Sequence, residues 1–316
     1  MKAKNYLLAK FSVFAVVFIA FLSMFNIHGK ADKKSVACSG NCAGCSACGT
    51  QGTINSTYYQ EKEPELLKTL NQYQKVFKNE LKHKYSEEQI ELISEETRKE
   101  FMDLIPQIPY IGGDDNSMTE DMELAAMVLA FYRVEKRSGE PVDYIGNTVI
   151  QAVKQEMERY PKWLMRLSGG KYFTKTYIKE QAKQAGQSQQ KQYPGAWVTT
   201  FVKGTGRDFD YGFNHTECGI VKFFHEQKAD ELTPYLCKLD FVYSDVMDQG
   251  LVRSGTLAEG AKVCDFRFTR MENRKLDFLV YTTFSIIVVG LLFLVVLIIR
   301  TVISRRKRVS KKTGAI

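Results

Sequence analysis

Apolar residues recur at helical spacing through the first two thirds of the chain and alternate by twos near its end. Leu66, Leu70, Tyr73, Phe77 and Leu81 fall about one turn apart and predict an amphipathic helix. Ser86 and Gln89 have the spacing of a capping box, opening a second helix that carries Ile90, Ile93, Phe101 and Leu104. After a turn-rich stretch at 108–116, Ser117 with Glu120 suits the cap of a more buried helix running through Met122 to Tyr132. A further helix covers Val142 to Tyr160, ending at Pro161. Residues 181–192 are polar and Gln-rich and read as a linker.

Beyond that linker the period changes. Runs rich in β-favouring residues at Ala196 to Lys203 and Phe209 to Cys218 flank a Gly-rich turn, which predicts a hairpin. A helix from Ala229 to Met247 follows, then a second hairpin from Leu251 to Leu257 and Lys262 to Thr269. Helices first and ββαββ afterwards predict an α+β fold, with an N-terminal helical part packed on a C-terminal antiparallel ββαββ sheet, in one domain over 59–276.

Two apolar runs flank this domain and predict transmembrane helices. Phe278 to Ile299 is 22 residues without a charge, which at ~1.5 Å per residue covers the ~30 Å hydrocarbon core. Phe11 to Ile27 follows Lys2, Lys4 and Lys10 and fits a signal or a short anchor, within an N-terminal segment 1–29. The segment 277–300 is then a span and 301–316 a basic tail, whose lysines and arginines mark the cytoplasmic side. With both runs spanning, the body between them faces outward.

The net charge of +8 invites a nucleic-acid partner, but its placement argues otherwise. Lys2, Lys4, Lys10 and the seven basic residues from Arg300 onward lie outside the domain, and the remainder carries 34 basic and 36 acidic residues. The excess belongs with topology and anionic lipid headgroups rather than with a phosphate-binding surface. Membrane lipid and a small molecule are therefore the expected partners, and nucleic acid is not.

Residues 30–58 form a small-residue tether holding Cys38, Cys42, Cys45 and Cys48. Four thiols within eleven residues suit an iron-sulfur cluster, a zinc site or two disulfides. The first three share the radical-SAM spacing, but no βα barrel pattern follows them.

Five motifs in order carry a family resemblance: Ile108-Pro-Tyr-Ile-Gly-Gly with Asn116 and Thr119; Thr216-Glu-Cys-Gly-Ile; Glu231 to Asp240; Arg253-Ser-Gly-Thr-Leu-Ala; and Cys264-Asp-Phe-Arg-Phe. Together they resemble the L-2-amino-thiazoline-4-carboxylic acid hydrolase family. The resemblance implies hydrolytic opening of a cyclic 2-aminothiazoline carboxylate to an N-carbamoyl-cysteine. The anchors and the cysteine tether depart from a plain soluble hydrolase, and a binding or redox-sensing module without catalysis is the competing function.

Opening such a ring needs an activated water, a proton for the leaving group and a cation or dipoles for the carboxylate. Strand alternation places His215 and Glu217 on one face as candidate bases, with Cys218 on the other. Cys237 and Asp240, three apart on a helix, share a face that Cys218 and Cys264 can flank. Those three thiols and the carboxylate can hold a divalent metal or an iron-sulfur cluster, supply a nucleophile, or simply pack as small hydrophobes. His215, Glu217, Cys218 and Asp240 are the catalytic candidates. Asn116, Arg253, Ser254, Thr256 and Arg267 are the candidate substrate contacts, Arg253 because a guanidinium grips a carboxylate in a bidentate pair.

Overall fold

A computed structural model describes residues 57–270, together with the isolated positions 283, 286, 287, 290 and 293. The helical part follows the apolar periodicity closely. Helix α1 (Glu63–Leu81) buries Leu66, Leu70 and Leu81, and α2 (Glu87–Leu104) starts at the full capping box. In that box Gln89 N donates to Ser86 Oγ and Ser86 N donates to Gln89 Oε1. Helix α3 (Thr119–Arg137) is central: Ala125 through Tyr132 are all buried, so it packs on every side rather than along one stripe. Its start differs from expectation. Ser117 donates to Gln184 instead of capping, while Asn116 Oδ1 accepts from Met118 N and Thr119 Oγ1 donates to Gly113 O, folding the 108–116 loop beneath the helix.

Helix α4 (Val142–Glu158) lies against α1 and α3, and α5 (Lys162–Gly170) follows Pro161 directly. The supposed linker at 181–192 is largely helix α6 (Lys175–Ser188), capped by Thr174 and laid along β1. Its many glutamines conceal it. Ala185 is its only buried residue, so little apolar period shows in the sequence.

Strands β1 (Val198–Lys203), β2 (Tyr211–Glu217) and β3 (Cys264–Phe268) form one antiparallel sheet in that order. Helices α7 (Gly219–Glu226) and α8 (Thr233–Met247) occupy the connection between β2 and β3. The ββαββ expectation is corrected here: the first arm of the second hairpin touches the sheet only through the Val252–Arg267 bridge. The physical reason is Asp265, whose carboxylate accepts from Ser254 N, Ser254 Oγ and Gly255 N and so curls 253–256 into a loop instead of a strand.

No helix among the described residues is long and apolar enough to cross a membrane. The N-terminal run, the Cys38–Cys48 tether and most of Phe278–Ile299 lie outside the described residues. Within the latter, the five described positions are helical and exposed.

Candidate active-site recess

The sheet turns one strongly aromatic face inward. Register places Thr199, His215 and Cys264 side by side, next to the row Phe201, Phe213, Phe266 and then Tyr211 and Phe268. Neighbouring rings along these rows contact at centroid distances of 5.0–6.5 Å. Apart from Tyr211 these aromatics are only half buried. They present a half-buried aromatic surface on that face of the sheet.

Helix α8 forms a second wall. On it Leu236 and Leu239 are buried, Tyr243 packs against the same core, and Cys237 and Asp240, at i and i+3, are partly buried. Asp240 is set by Arg253: Nη1 reaches Oδ2 at 2.5 Å while Nη2 donates to Cys237 O at 2.7 Å. The guanidinium is sandwiched between Phe241 and Phe266 at 4.9 and 4.8 Å, and its side chain is 4% exposed against 39% for Asp240. The arginine is thus a buried clamp, and the carboxylate is its accessible end. Burial pushes the Asp240 carboxyl up, and the guanidinium opposes this.

His215 lies against Phe266 and Phe213, with Nδ1 2.7 Å from Thr199 Oγ1. Burial, and secondarily the Arg253 charge, press its pKa down to about 4, so the ring is neutral at physiological pH.

Asp121, in the first turn of α3, is the group that sequence reasoning missed. The residue is solvent-accessible, with protein close around it. Burial first, then the charges of Asp240 and Glu120, push its pKa up to about 7, and no cation offsets them. The helix N-terminus acts the other way, favouring the ionised form. Tyr73, Tyr172, Tyr177 and Tyr243 all stand near enough to feel its charge. No motif spacing marks Asp121; only its place on a helix whose next turns are buried hints that it points inward.

The other predicted residues divide sharply. Glu217 stands apart, bonded to Lys191 and Lys222 at 2.5 Å each, with Lys222 also donating to Pro194 O and Ala196 O. It ties the end of β2 to the loop before β1. Asn116 donates to Ile111 O and organises the 108–116 loop. Arg267 bonds Phe213 O, Phe266 O and Asn214 Oδ1, bracing the sheet. Ser254 is held by Asp265, and Thr256 caps the turn at Glu259. Neither Arg253 nor Arg267 is free to grip a substrate carboxylate.

The three thiols do gather. Cys218, Cys237 and Cys264 are free, close enough to raise one another's pKa, and burial is the main cause, taking Cys218 to about 11 and Cys237 to about 12. Amides of Ile220 and Val221 donate to the Cys218 sulfur and Leu257 N to Cys264 Sγ, which is not enough to reverse the shift. Burial thus keeps these thiols protonated, which makes them poor nucleophiles. Among the described residues no group of three or more His, Cys, Asp or Glu is arranged to hold a metal ion. The tether cysteines lie outside the described residues. An apolar cavity between α1, α2 and α3, lined by Leu70, Phe77, Ile93 and Phe131 among others, holds no acid or base and is a packing void.

A search of the curated proteins and one of the solved structures returned no match. The family model described as L-2-amino-thiazoline-4-carboxylic acid hydrolase matches residues 120–268, a stretch that begins one residue before Asp121 and includes Asp240, Arg253 and His215. Over residues 120–268 the chain is therefore similar to the L-2-amino-thiazoline-4-carboxylic acid hydrolase family.

Proposed function

We propose that the chain is a membrane-held hydrolase that opens a small cyclic amidine-type substrate in the recess between the sheet, α8 and the first turn of α3. The observation that carries this reading is the carboxyl pair Asp240 and Asp121. Asp240 is clamped by a buried arginine and Asp121 meets no cation; burial raises both carboxyls, and the guanidinium opposes the rise at Asp240 alone. Asp240 takes the proton from water as the oxygen attacks the carbon between the ring nitrogen and sulfur. The carbon-sulfur bond then breaks, the sulfur leaves as a thiol with one of the water's two protons, the ring nitrogen takes the other, and the attacking oxygen becomes the carbonyl of a urea. With Nδ1 accepting from Thr199, the Nε2–H of neutral His215 donates to the developing negative charge, while the aromatic wall holds a flat ring.

Membrane attachment rests on the charge-free Phe278–Ile299 run and its basic flank, with Ile286, Ile287 and Phe293 exposed at 72%, 54% and 64%. The domain then faces outward and the tail inward. The chemistry is tested by incubating the detergent-solubilised full chain with 2-aminothiazoline and its 4-carboxylate and measuring the ring-opened urea by mass spectrometry. Turnover that falls at least about 100-fold in Asp240→Asn supports the reading. No turnover, or turnover indifferent to Asp240→Asn, leaves a binding module in its place.

A further inference from the structure

Between its flanking segments the chain is nearly balanced in charge, yet one stretch is not. From Arg159 to Lys179 there are six basic side chains and no acidic one. The five residues that open it, Arg159 through Trp163, are all exposed, with Tyr160 at 36% and Trp163 at 42%. An exposed indole among lysines is the composition that suits a lipid headgroup layer, where an amphipathic ring and a cation both find partners.

Helix α5 shows how these residues are arranged. Met165 is buried and Gly169 packs directly on the Met247 backbone of α8, which fixes that side of α5 to the domain. Helical spacing puts Trp163 and Leu167 on the other side. Two of the six cations have acidic partners, Arg159 with Glu156 at 2.8 Å and Arg166 with Asp248 at 3.4 Å. Lys162, Lys171, Lys175 and Lys179 are exposed, so the stretch keeps a basic surface.

The last residue of the continuous described domain lies at the same place. A Cβ on Gly170 would stand 3.5 Å from Arg270 Nη2. Phe278, where the charge-free run starts, is eight residues further along the sequence, at most about 29 Å of extended chain. A bilayer that holds that run therefore has the end of α5 within reach.

We infer that the outer face of α5, with Trp163 and Leu167 as its apolar part and Lys162, Lys171 and Arg270 as its cations, docks on the headgroup layer of an anionic lipid bilayer. The inference rests on the membrane attachment proposed above and adds the face on which the domain lies. Docking there sets the height of Asp240 above the bilayer, since α5 packs on the helix that carries it.

The test reconstitutes the full chain in vesicles of phosphatidylcholine, alone or mixed with phosphatidylglycerol, each containing lipid brominated near the headgroup end of its chains. The chain has two tryptophans, Trp163 and the buried Trp197, so quenching by bromine reports Trp163 and is assigned with Trp163→Phe. The expected quenching is at least about twofold stronger in the anionic vesicles. It should vanish in Trp163→Phe and fall to the neutral-vesicle level in a variant carrying Lys162→Ser and Lys171→Ser, with thermal melts confirming that each variant is folded. Equal quenching in both lipids, no quenching, or unchanged quenching in the folded lysine variant overturns the inference. Shielding of Trp163 from an aqueous quencher without any effect of bromine means that a protein covers the face, and overturns it as well. Flotation separates this reading from attachment, which expects the chain and its variants to stay with the vesicles at about 1 M salt. A chain that floats at high salt with no bromine quenching sinks the docking face alone. One that is quenched at low salt but released at high salt sinks the anchor alone, and one that never floats sinks both.

Discussion

Removing the clamp on Asp240 is the most informative single perturbation of stability. Arg253→Met keeps much of the volume and the apolar stem but deletes the guanidinium, which makes a charged hydrogen bond to Asp240, a second bond to Cys237 O and two cation-π contacts at 4.9 and 4.8 Å. Breaking a buried ion pair from one side costs about 3–5 kcal/mol, because the remaining charge is stranded. Asp240 is 39% exposed and recovers part of that by solvation, which places the expected cost near the lower end, at about 3 kcal/mol. For a domain of this size about 1 kcal/mol corresponds to about 2–4 °C, so the melting temperature should fall by about 6–12 °C. Urea melts of wild type, Arg253→Met, Asp240→Asn and the double variant would report both the cost and the coupling between the two residues. The double variant should be less destabilised than Arg253→Met alone, since no stranded charge remains. A loss under about 1 kcal/mol in Arg253→Met, or strictly additive single variants, would refute the clamp.

Three further outcomes follow from the same geometry. Asp121 binds its proton more tightly folded, at about 7, than at its ordinary value of 3.8, so its contribution to stability is complete below about pH 4 and lost as pH rises through 7. Its neighbours Asp240 and Glu120 deepen that loss. Asp121→Asn should therefore melt higher than wild type at pH 8 and equally at pH 4, and a lower melting temperature at pH 8 would contradict the unpaired-carboxyl assignment. Glu217→Gln should lose no more than about 1 kcal/mol, the scale of exposed pairs, and keep full hydrolytic turnover; loss of turnover in a folded protein would return Glu217 to the chemistry. A Cβ on Gly169 would lie 1.9 Å from Met247 O, and one on Gly146 2.2 Å from the Tyr235 ring, both on α8. Gly169→Ala should cost about 1–3 kcal/mol by denaturant unfolding and, because it displaces the helix carrying Asp240, reduce turnover as well; a neutral substitution would mean that α5 and α8 are not packed this closely.

Much of the helical part was legible because its signals are local. The Ser86 and Gln89 pair states its cap in four residues, and the Leu66 to Leu81 stripe is a one-helix pattern. What was hidden depends on tertiary contacts. Helix α6 buries a single alanine and so shows no stripe, and the loop at 253–256 reads as a strand until Asp265 is seen taking its hydrogen-bond donors. The site was half legible by the same rule. Asp240 and Cys237 share a face by spacing, and His215 alternates inward on β2, as the structure has them. Glu217 looks like a base in the sequence because nothing local announces Lys191 and Lys222. Asp121 looks like an ordinary first-turn acid because the burial and the Asp240 charge that raise its pKa are tertiary effects. Arg253 reads in the sequence as a grip for a substrate carboxylate, whereas in the structure it bonds the protein's own Asp240.

A crystal structure of the full chain with 2-aminoimidazoline bound tests the central claim most directly. The ligand is expected beside the Asp240 carboxylate, against the Phe266 ring. A ligand bound away from Asp240 would contradict this.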